Sequence, residues 1–228
     1  ATLTQGLQLV VIALAEHEPS QEIFETLNAR GTPLTAADLV KNYVFQQVVR
    51  EGGSAHAAFR DHWQDLEKSF WTKEVRIGRY SLERLSLFLN HWLVAQTGEE
   101  VSTRSTFTRF KSWYEQSGRP MTEVLDALHR QALQFEGWVH DASRTEGDLA
   151  QLPLFLYRTE AAELEAVKPV LFRLFDVEQP VPAQVATAAL RDVESWLMRR
   201  SRGPATRRTP SRASPRPARP LLRGEWRC

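Results

Sequence analysis

Residues 21–48 read QEIFETLNARGTPLTAADLVKNYVFQQV and predict two helices joined by a tight turn. In the first helix, Ile23, Phe24 and Leu27 recur at helical spacing and form one apolar face. Residues 28–31, Asn-Ala-Arg-Gly, then end this helix. The glycine of that run suits a left-handed position after a helix C-terminus.

The second helix of the stretch begins beyond Pro33, which prevents the connector from continuing as helix. Thr35 has the side chain of an N-cap residue. Asp38 stands three residues later, where the acid of a capping box lies. The apolar face of this helix then consists of Leu39, Val40, Tyr43, Val44 and Phe45.

The turn carries groups that can bind phosphate. Asn28 offers an amide, Arg30 a planar set of donors, and Gly31 allows backbone N–H groups to approach a ligand closely. A helix N-terminus at Thr35 favours anions, and Lys41 lies nearly two turns further along. The alternative is a structural helix–turn–helix in which Asn28 caps the first helix and Arg30 pairs with an acid.

Residues 23–45, IFETLNARGTPLTAADLVKNYVF, resemble a segment of the GmrSD-type restriction endonuclease N-terminal domain. The resemblance implies a ParB/sulfiredoxin-like, nucleotide-hydrolysing fold from bacterial anti-phage defence. It also implies that Asn28, Arg30 and Gly31, with Lys41 as a further candidate, contribute to the nucleotide or DNA-sensing site. For the complete family domain it implies NTP and Mg²⁺ as cofactors, and DNA and a nuclease domain or subunit as partners.

The chain departs from the family in one motif. The family's Asp-Gly-Gln-Gln-Arg motif, central to its nucleotide chemistry, has no counterpart, since Gln46-Gln47 lies within a predicted helix and is followed by Val48. Residues 7–14, LQLVVIAL, predict a strand. We therefore expect residues 1–52 to be the C-terminal part of a GmrSD-like α+β domain, retaining a strand and the helix–turn–helix. No catalytic residue is identified, and we expect no NTP hydrolysis by this chain alone.

Residues 53–200 predict a multi-helix bundle, so the fold class is mainly α. Apolar residues recur at helical spacing after Ser54, and a loop is predicted at 76–80 with the next helix beginning at Ser81. No convincing alternation of period two follows the opening strand. The many Trp and Phe residues are interpreted as core.

Prolines punctuate the later helices. A buried helix is predicted within 149–157, starting at Pro153. Residues 164–175 predict another helix, which Pro169 either kinks or divides. A last helix is predicted at 185–198.

Bulk composition indicates a soluble globular protein, with 42% hydrophobic and 25% charged residues. No apolar run approaches the roughly 18 residues of a membrane span, and the N-terminus lacks the features of a secretory signal. The one cysteine, Cys228, excludes an internal disulfide. We predict a cytoplasmic protein without a membrane partner.

Charge is unevenly distributed. Residues 201–228 carry eight arginines against one acid, Glu225, a net charge of +7. The remainder has 21 basic and 27 acidic residues, a net charge of −6. Contacts to nucleic acid phosphates need clustered Lys and Arg. The net acidic charge of residues 1–200 therefore does not favour a DNA-binding surface there.

The segment 201–228 combines those arginines with five prolines and few large apolar residues, so it cannot build a core. One interpretation is a disordered basic arm that touches nucleic acid. The preferred one is a frameshift product, since the composition changes abruptly after the DVESWLMRR run at 192–200.

Known enzyme motifs are absent from the body. The six histidines lack metal-ligand spacing, so no metal site is predicted, and no nucleophile elbow, Walker phosphate loop or His-Asn-His-type nuclease motif occurs. Enzymatic activity is therefore uncertain. Two functions follow: a fragment of a GmrSD-like restriction protein, or a non-enzymatic helical interaction or scaffold module.

Overall fold

A computed structural model describes residues 34–144 and 150–201. Within these ranges the protein is mainly helical with one small two-stranded sheet, which confirms the predicted fold class. The predicted strand at 7–14, the helix and turn at 21–33 and the segment 202–228 lie outside the described residues, so those predictions stand as predictions.

The α-helices, numbered in chain order, are α1 (Ala36–Arg50), α2 (Ala55–Ala58), α3 (Ser69–Thr72), α4 (Arg84–Thr97), α5 (Thr106–Ser117), α6 (Met121–Ala142), α7 (Gln151–Ala161), α8 (Lys168–Leu174) and α9 (Ala183–Ser201). Shorter helical turns lie between them: a π-helical turn at Phe59–Trp63 and 3₁₀ turns at Gln64–Glu67, Thr103–Ser105 and Glu165–Val167. The two strands are β1 (Glu74–Ile77) and β2 (Tyr80–Glu83). None of the described helices combines the length and the apolar character needed to cross a membrane.

Several helix boundaries follow the local signals in the sequence. Ser54 accepts a hydrogen bond from the Ala57 amide at the start of α2, as an N-cap residue does. Gly98 and Gly118 end α4 and α5 with φ of +69° and +64°. Pro169 lies in the first turn of α8, after the 3₁₀ turn, so it divides the 164–175 segment instead of kinking it.

The β1–β2 hairpin corrects the prediction for residues 76–83. Ser81, predicted as a helix start, lies in β2 opposite Arg76, and α4 begins at Arg84. The predicted loop at 76–80 includes the ends of both strands and the turn between them. Period-two structure therefore does occur after the opening segment.

The hairpin was missed because each strand has only four residues. Leu82 and Leu85 are three residues apart, which imitates a helical face, while the alternation of Val75 and Ile77 is too short to stand out. Gly78 occupies the first position of the two-residue turn with φ of +58°, a conformation that glycine adopts without strain.

The helix predicted after Ser54 is broken by local geometry. Helix α2 passes into the π-helical turn and then the 3₁₀ turn before Lys68, whose ψ of 157° is extended. The apolar residues of this stretch still point inward, since Trp63 and Leu66 are fully buried. Tertiary burial is thus satisfied without one continuous helix.

The principal core lies between α1, α4, α5 and α6 and includes the fully buried Trp63, Trp71 and Trp92. These three tryptophans confirm the interpretation of the Trp and Phe residues as core, with Trp196 as an exception at 50% exposure. Helix α1 contributes Val40 and Val44 to this same core. The sequence-based prediction places this helix in a separate domain ending at residue 52.

A second cluster of buried apolar residues joins the end of α6 to α7, α8 and α9; it consists of Ala142, Phe155, Leu156, Val167, Leu171 and Leu190. Trp138 packs against both clusters, with its ring centroid 5.4 Å from that of Phe175 and 6.5 Å from that of Phe172. The bundle is therefore continuous from α1 to α9.

Candidate functional site

Of the four residues predicted to bind phosphate, the structure describes Lys41. Asn28, Arg30 and Gly31 lie outside the described residues, so their role stays a prediction. Lys41 lies on α1, whose N-terminus follows the predicted phosphate-binding turn.

The N-terminus of α1 is a complete capping box. The Thr35 hydroxyl oxygen accepts a hydrogen bond from the Asp38 amide at 3.1 Å, and the Asp38 carboxylate accepts one from the Thr35 amide at 2.9 Å. This confirms the predicted roles of both residues. The Ala37 amide donates to the Ser86 hydroxyl of α4 at 3.2 Å. Three amides at the helix start are therefore already hydrogen-bonded within the protein.

Lys41 is held by an ion pair. Its Nζ lies 2.6 Å from Glu67 Oε1 and 5.4 Å from the centre of the Phe59 ring. Trp63 Nε1 donates to the same carboxylate oxygen at 3.0 Å. To contact a phosphate, Lys41 would have to break its ion pair with Glu67. Of its contacts with Lys41 and Trp63, the Glu67 carboxylate would then keep only the hydrogen bond from Trp63.

The surroundings of the α1 N-terminus are acidic. Partial burial and the nearby Asp38 carboxylate raise the pKa of Glu83, and Glu67 adds to this effect. Because carboxylates repel phosphate and the amides of Thr35, Ala37 and Asp38 are already hydrogen-bonded, the described part of the motif offers a phosphate few free donors. The anion bound at this helix start is the Asp38 carboxylate, which accepts a hydrogen bond from the Thr35 amide.

We expect Glu83→Gln to raise the thermal unfolding midpoint at pH 7 by about 1–3 °C. A raised folded pKa means that ionised Glu83 costs free energy at neutral pH. This cost disappears as the pH falls below the unfolded pKa of about 4.3, so the gain should vanish near pH 4. Thermal melts at both pH values measure it.

Glu100→Gln is the matched control, because Glu100 is exposed and has no ion-pair partner among the described residues. It should leave the midpoint nearly unchanged at both pH values. A Glu83→Gln midpoint that stays at or below the parent value at pH 7 would contradict the electrostatic account.

A cavity of about 500 Å³ opens between the end of α1 and the start of α6. Its charged lining residues are already paired. Glu51 accepts hydrogen bonds from the Tyr114 hydroxyl and, at 2.9 Å, from the Met121 amide, while Arg119 holds Glu178 at 2.7 and 3.0 Å. Glu51 thus caps α6 from 70 residues away in sequence, and we assign no ligand to this cavity.

A buried charge cluster, which the sequence did not predict, lies between α4 and α8. Lys168 Nζ lies 2.8 Å from Glu165 Oε2, and both side chains are buried. His91 of α4 is also buried, and burial, followed by the charge of Lys168, lowers its pKa to about 3, so this imidazole is neutral. The local sequence does not distinguish these residues from ordinary surface charges, since their burial comes from the packing of α8 against α4.

Within the described ranges, no group of three or more histidine, cysteine, aspartate or glutamate side chains is placed to hold a metal ion. No protein-family model matches the chain, and neither a curated protein nor a solved structure is significantly similar to it.

Proposed function

We propose that this chain is part of a GmrSD-like, nucleotide-dependent DNA restriction protein of anti-phage defence, and that it is not catalytically competent alone. The observation that carries the proposal is the segment 23–45, with its Leu-Asn-x-Arg-Gly turn and its Asp-Leu-x-Lys-Asn continuation. The capping box and the helix that starts at Ala36 support it, since they place the continuation on a helix directly after the turn. The protein acts in the cytoplasm on DNA, without a membrane partner.

The phosphate-binding role falls to the turn in this proposal. Arg30 would bind phosphate oxygens through its guanidinium, Gly31 would expose backbone N–H groups, and Asn28 would add an amide donor. A bound magnesium–nucleoside triphosphate supplies the phosphoanhydride that the family hydrolyses. Lys41 would take part only after exchanging its carboxylate partner, Glu67, for a phosphate oxygen.

We expect the parent protein to bind ATP or GTP in the presence of Mg²⁺ without sustained hydrolysis. Arg30→Ala should weaken that binding by roughly ten- to a hundredfold, because a charge-assisted hydrogen bond contributes about 1.5–3 kcal/mol. Its unfolding midpoint without nucleotide should be nearly unchanged. Thermal melts with and without nucleotide, together with calorimetric titration, measure both quantities.

Arg50→Ala is the control, since Arg50 is an exposed arginine at the far end of α1. It should keep the affinity of the parent. Sustained turnover by the parent that Arg30→Ala abolishes would overturn the expected lack of hydrolysis. A large stability loss in Arg30→Ala with nucleotide binding intact would instead identify Arg30 as the partner of a buried acid.

The helical scaffold is the second candidate, and the occupied groups at the start of α1 favour it. Three amides at the helix start are hydrogen-bonded and Lys41 is paired with Glu67, so this end of the motif already has a structural role. In this reading the chain is a non-enzymatic interaction module. A folded parent whose midpoint does not respond to either nucleotide supports the scaffold and contradicts the restriction proposal.

A further inference from the structure

The β1–β2 hairpin presents a basic and aromatic tip to solvent. Arg76 and Arg79 are exposed on either side of Gly78, and Lys73 is exposed at the base of β1. Tyr80 is 70% exposed, the highest value among the large apolar side chains of the described residues. The tip therefore combines positive charge with an accessible aromatic ring.

These cations are available to a ligand. Across residues 34–144 and 150–201, neither Lys73 nor Arg76 nor Arg79 has a carboxylate within ion-pair distance. Arg76 Nε donates to the Gly78 carbonyl at 3.2 Å, which braces the turn and leaves its charge uncompensated. Several other surface arginines are paired with a carboxylate, as in Arg60–Asp61, Arg119–Glu178 and Arg130–Asp126, whereas the two arginines of the hairpin are not.

The acids of the hairpin lie at its other end. Glu74 is paired with Glu83 in the strand register, next to the helices, while Arg76 and Arg79 lie nearer the turn. Both carboxylates of the two strands thus lie at the base of the hairpin, beside Lys73, while both of its arginines lie nearer the tip. A polyanion can reach the tip without meeting these two carboxylates first.

The base of the hairpin is firmly attached to the bundle. The Arg84 amide donates to the Lys73 carbonyl at 2.9 Å, and β2 leads directly into α4. The Arg84 guanidinium donates to the Phe70 carbonyl at 3.1 Å and lies 4.1 Å from the centre of the Phe70 ring. The tip is therefore displayed in a defined position, which reduces the entropy lost on binding.

We propose that this hairpin tip binds double-stranded DNA, with Arg76 and Arg79 contacting backbone phosphates and the Tyr80 hydroxyl donating to a phosphate oxygen. A two-stranded β-ribbon is narrow enough to enter the major groove. Arginine and tyrosine side chains are common donors to DNA phosphates. The inference rests on the proposed function only in its choice of DNA as the polyanion, and it does not involve the nucleotide-binding turn.

The test is fluorescence anisotropy with a labelled 20-base-pair duplex, titrated with the full chain at several salt concentrations. Arg76→Gln/Arg79→Gln should raise the Kd roughly tenfold or more at low salt. It should also reduce the slope of log Kd against log salt concentration by about two, since each lost phosphate contact removes about 0.9. Tyr80→Ala should weaken binding with a smaller change in slope.

Arg104→Gln/Arg173→Gln is the matched control, because both residues are exposed, lack an ion pair among the described residues and lie outside the hairpin. It removes the same charge and keeps the arginine-rich segment 202–228, so nonspecific attraction changes equally. Equal losses in the two double variants would overturn the proposal. So would an unchanged Kd in the hairpin variant, or a loss seen with single-stranded but not with duplex DNA.

The single variant Arg79→Gln tests the proposal without disturbing the fold of the turn. Arg79 makes no side-chain hydrogen bond among the described residues, whereas Arg76 donates to the Gly78 carbonyl within the turn. It should lower the slope by about one with an unchanged melting midpoint. Nucleotide titration of the same variants separates the two proposals. Hairpin-dependent DNA binding without nucleotide binding would contradict the proposed function alone, and the reverse result would contradict the hairpin inference alone.

Discussion

Trp71→Ala should lower the free energy of unfolding by roughly 3–5 kcal/mol, the range for removing a large buried aromatic side chain. Trp71 is fully buried, and its ring centroid lies 5.0 Å from that of Phe70 and 5.1 Å from that of Phe88. Its Nε1 donates to Glu136 Oε2 at 3.3 Å. The substitution therefore leaves a cavity and removes a hydrogen bond between α3 and α6.

Chemical denaturation followed by far-UV circular dichroism measures this effect without relying on tryptophan fluorescence. Trp196→Ala is the matched control, because the same side chain on α9 is 50% exposed. We expect it to cost about 1 kcal/mol or less. Similar losses for the two variants would show that the aromatic cluster around Trp71 does not dominate the stability of the bundle.

Lys168→Ala should be destabilising by about 3–5 kcal/mol, because it leaves a buried carboxylate without its cation. Glu165 is 7% exposed and its two oxygens lie 2.9 and 2.8 Å from Lys168 Nζ. The other carboxylate near the ammonium is Glu160, at 3.4 Å, and it is exposed to water. Removing Lys168 therefore leaves mainly the buried Glu165 carboxylate without a cation.

Replacing both partners distinguishes a lost ion pair from lost packing. Lys168→Met/Glu165→Leu should recover most or all of the stability, since apolar replacements of similar size remove the unpaired charge. Arg158→Ala breaks the more exposed pair with Glu194 and should cost about 1 kcal/mol or less. Denaturation midpoints of all three variants test the account, and a double variant as unstable as Lys168→Ala would refute it.

Local signals in the sequence predicted the helical class, and several helix boundaries agree with such signals. Thr35 and Asp38 form the expected capping box, Ser54 caps α2, and glycines end α4 and α5. Each of these features depends on interactions within a few residues, which a single sequence displays directly. The interpretation of the tryptophans as core also held for Trp63, Trp71 and Trp92, whereas Trp196 on α9 is 50% exposed.

The candidate site was predictable to a smaller extent. The turn at 28–31 could be singled out because amide, guanidinium and glycine in that order suggest phosphate binding. The ion pair of Lys41 could not be predicted, because its partner Glu67 is 26 residues away in sequence. The basic hairpin tip was also not predicted. Each strand has only four residues, so the sequence pattern of residues 76–80 indicated a loop.

The sequence by itself thus determined the mainly helical class, the capping of α1 and the residues of the phosphate-binding hypothesis. Only the tertiary structure decided the β1–β2 hairpin, the Lys41–Glu67 pair, the capping of α6 by Glu51 and the burial of Lys168 with Glu165. Helix caps and periodicity are short-range, and the chain encodes them within one or two turns. The surroundings of a charged side chain are set by which elements pack together, so they emerge only once the bundle has formed.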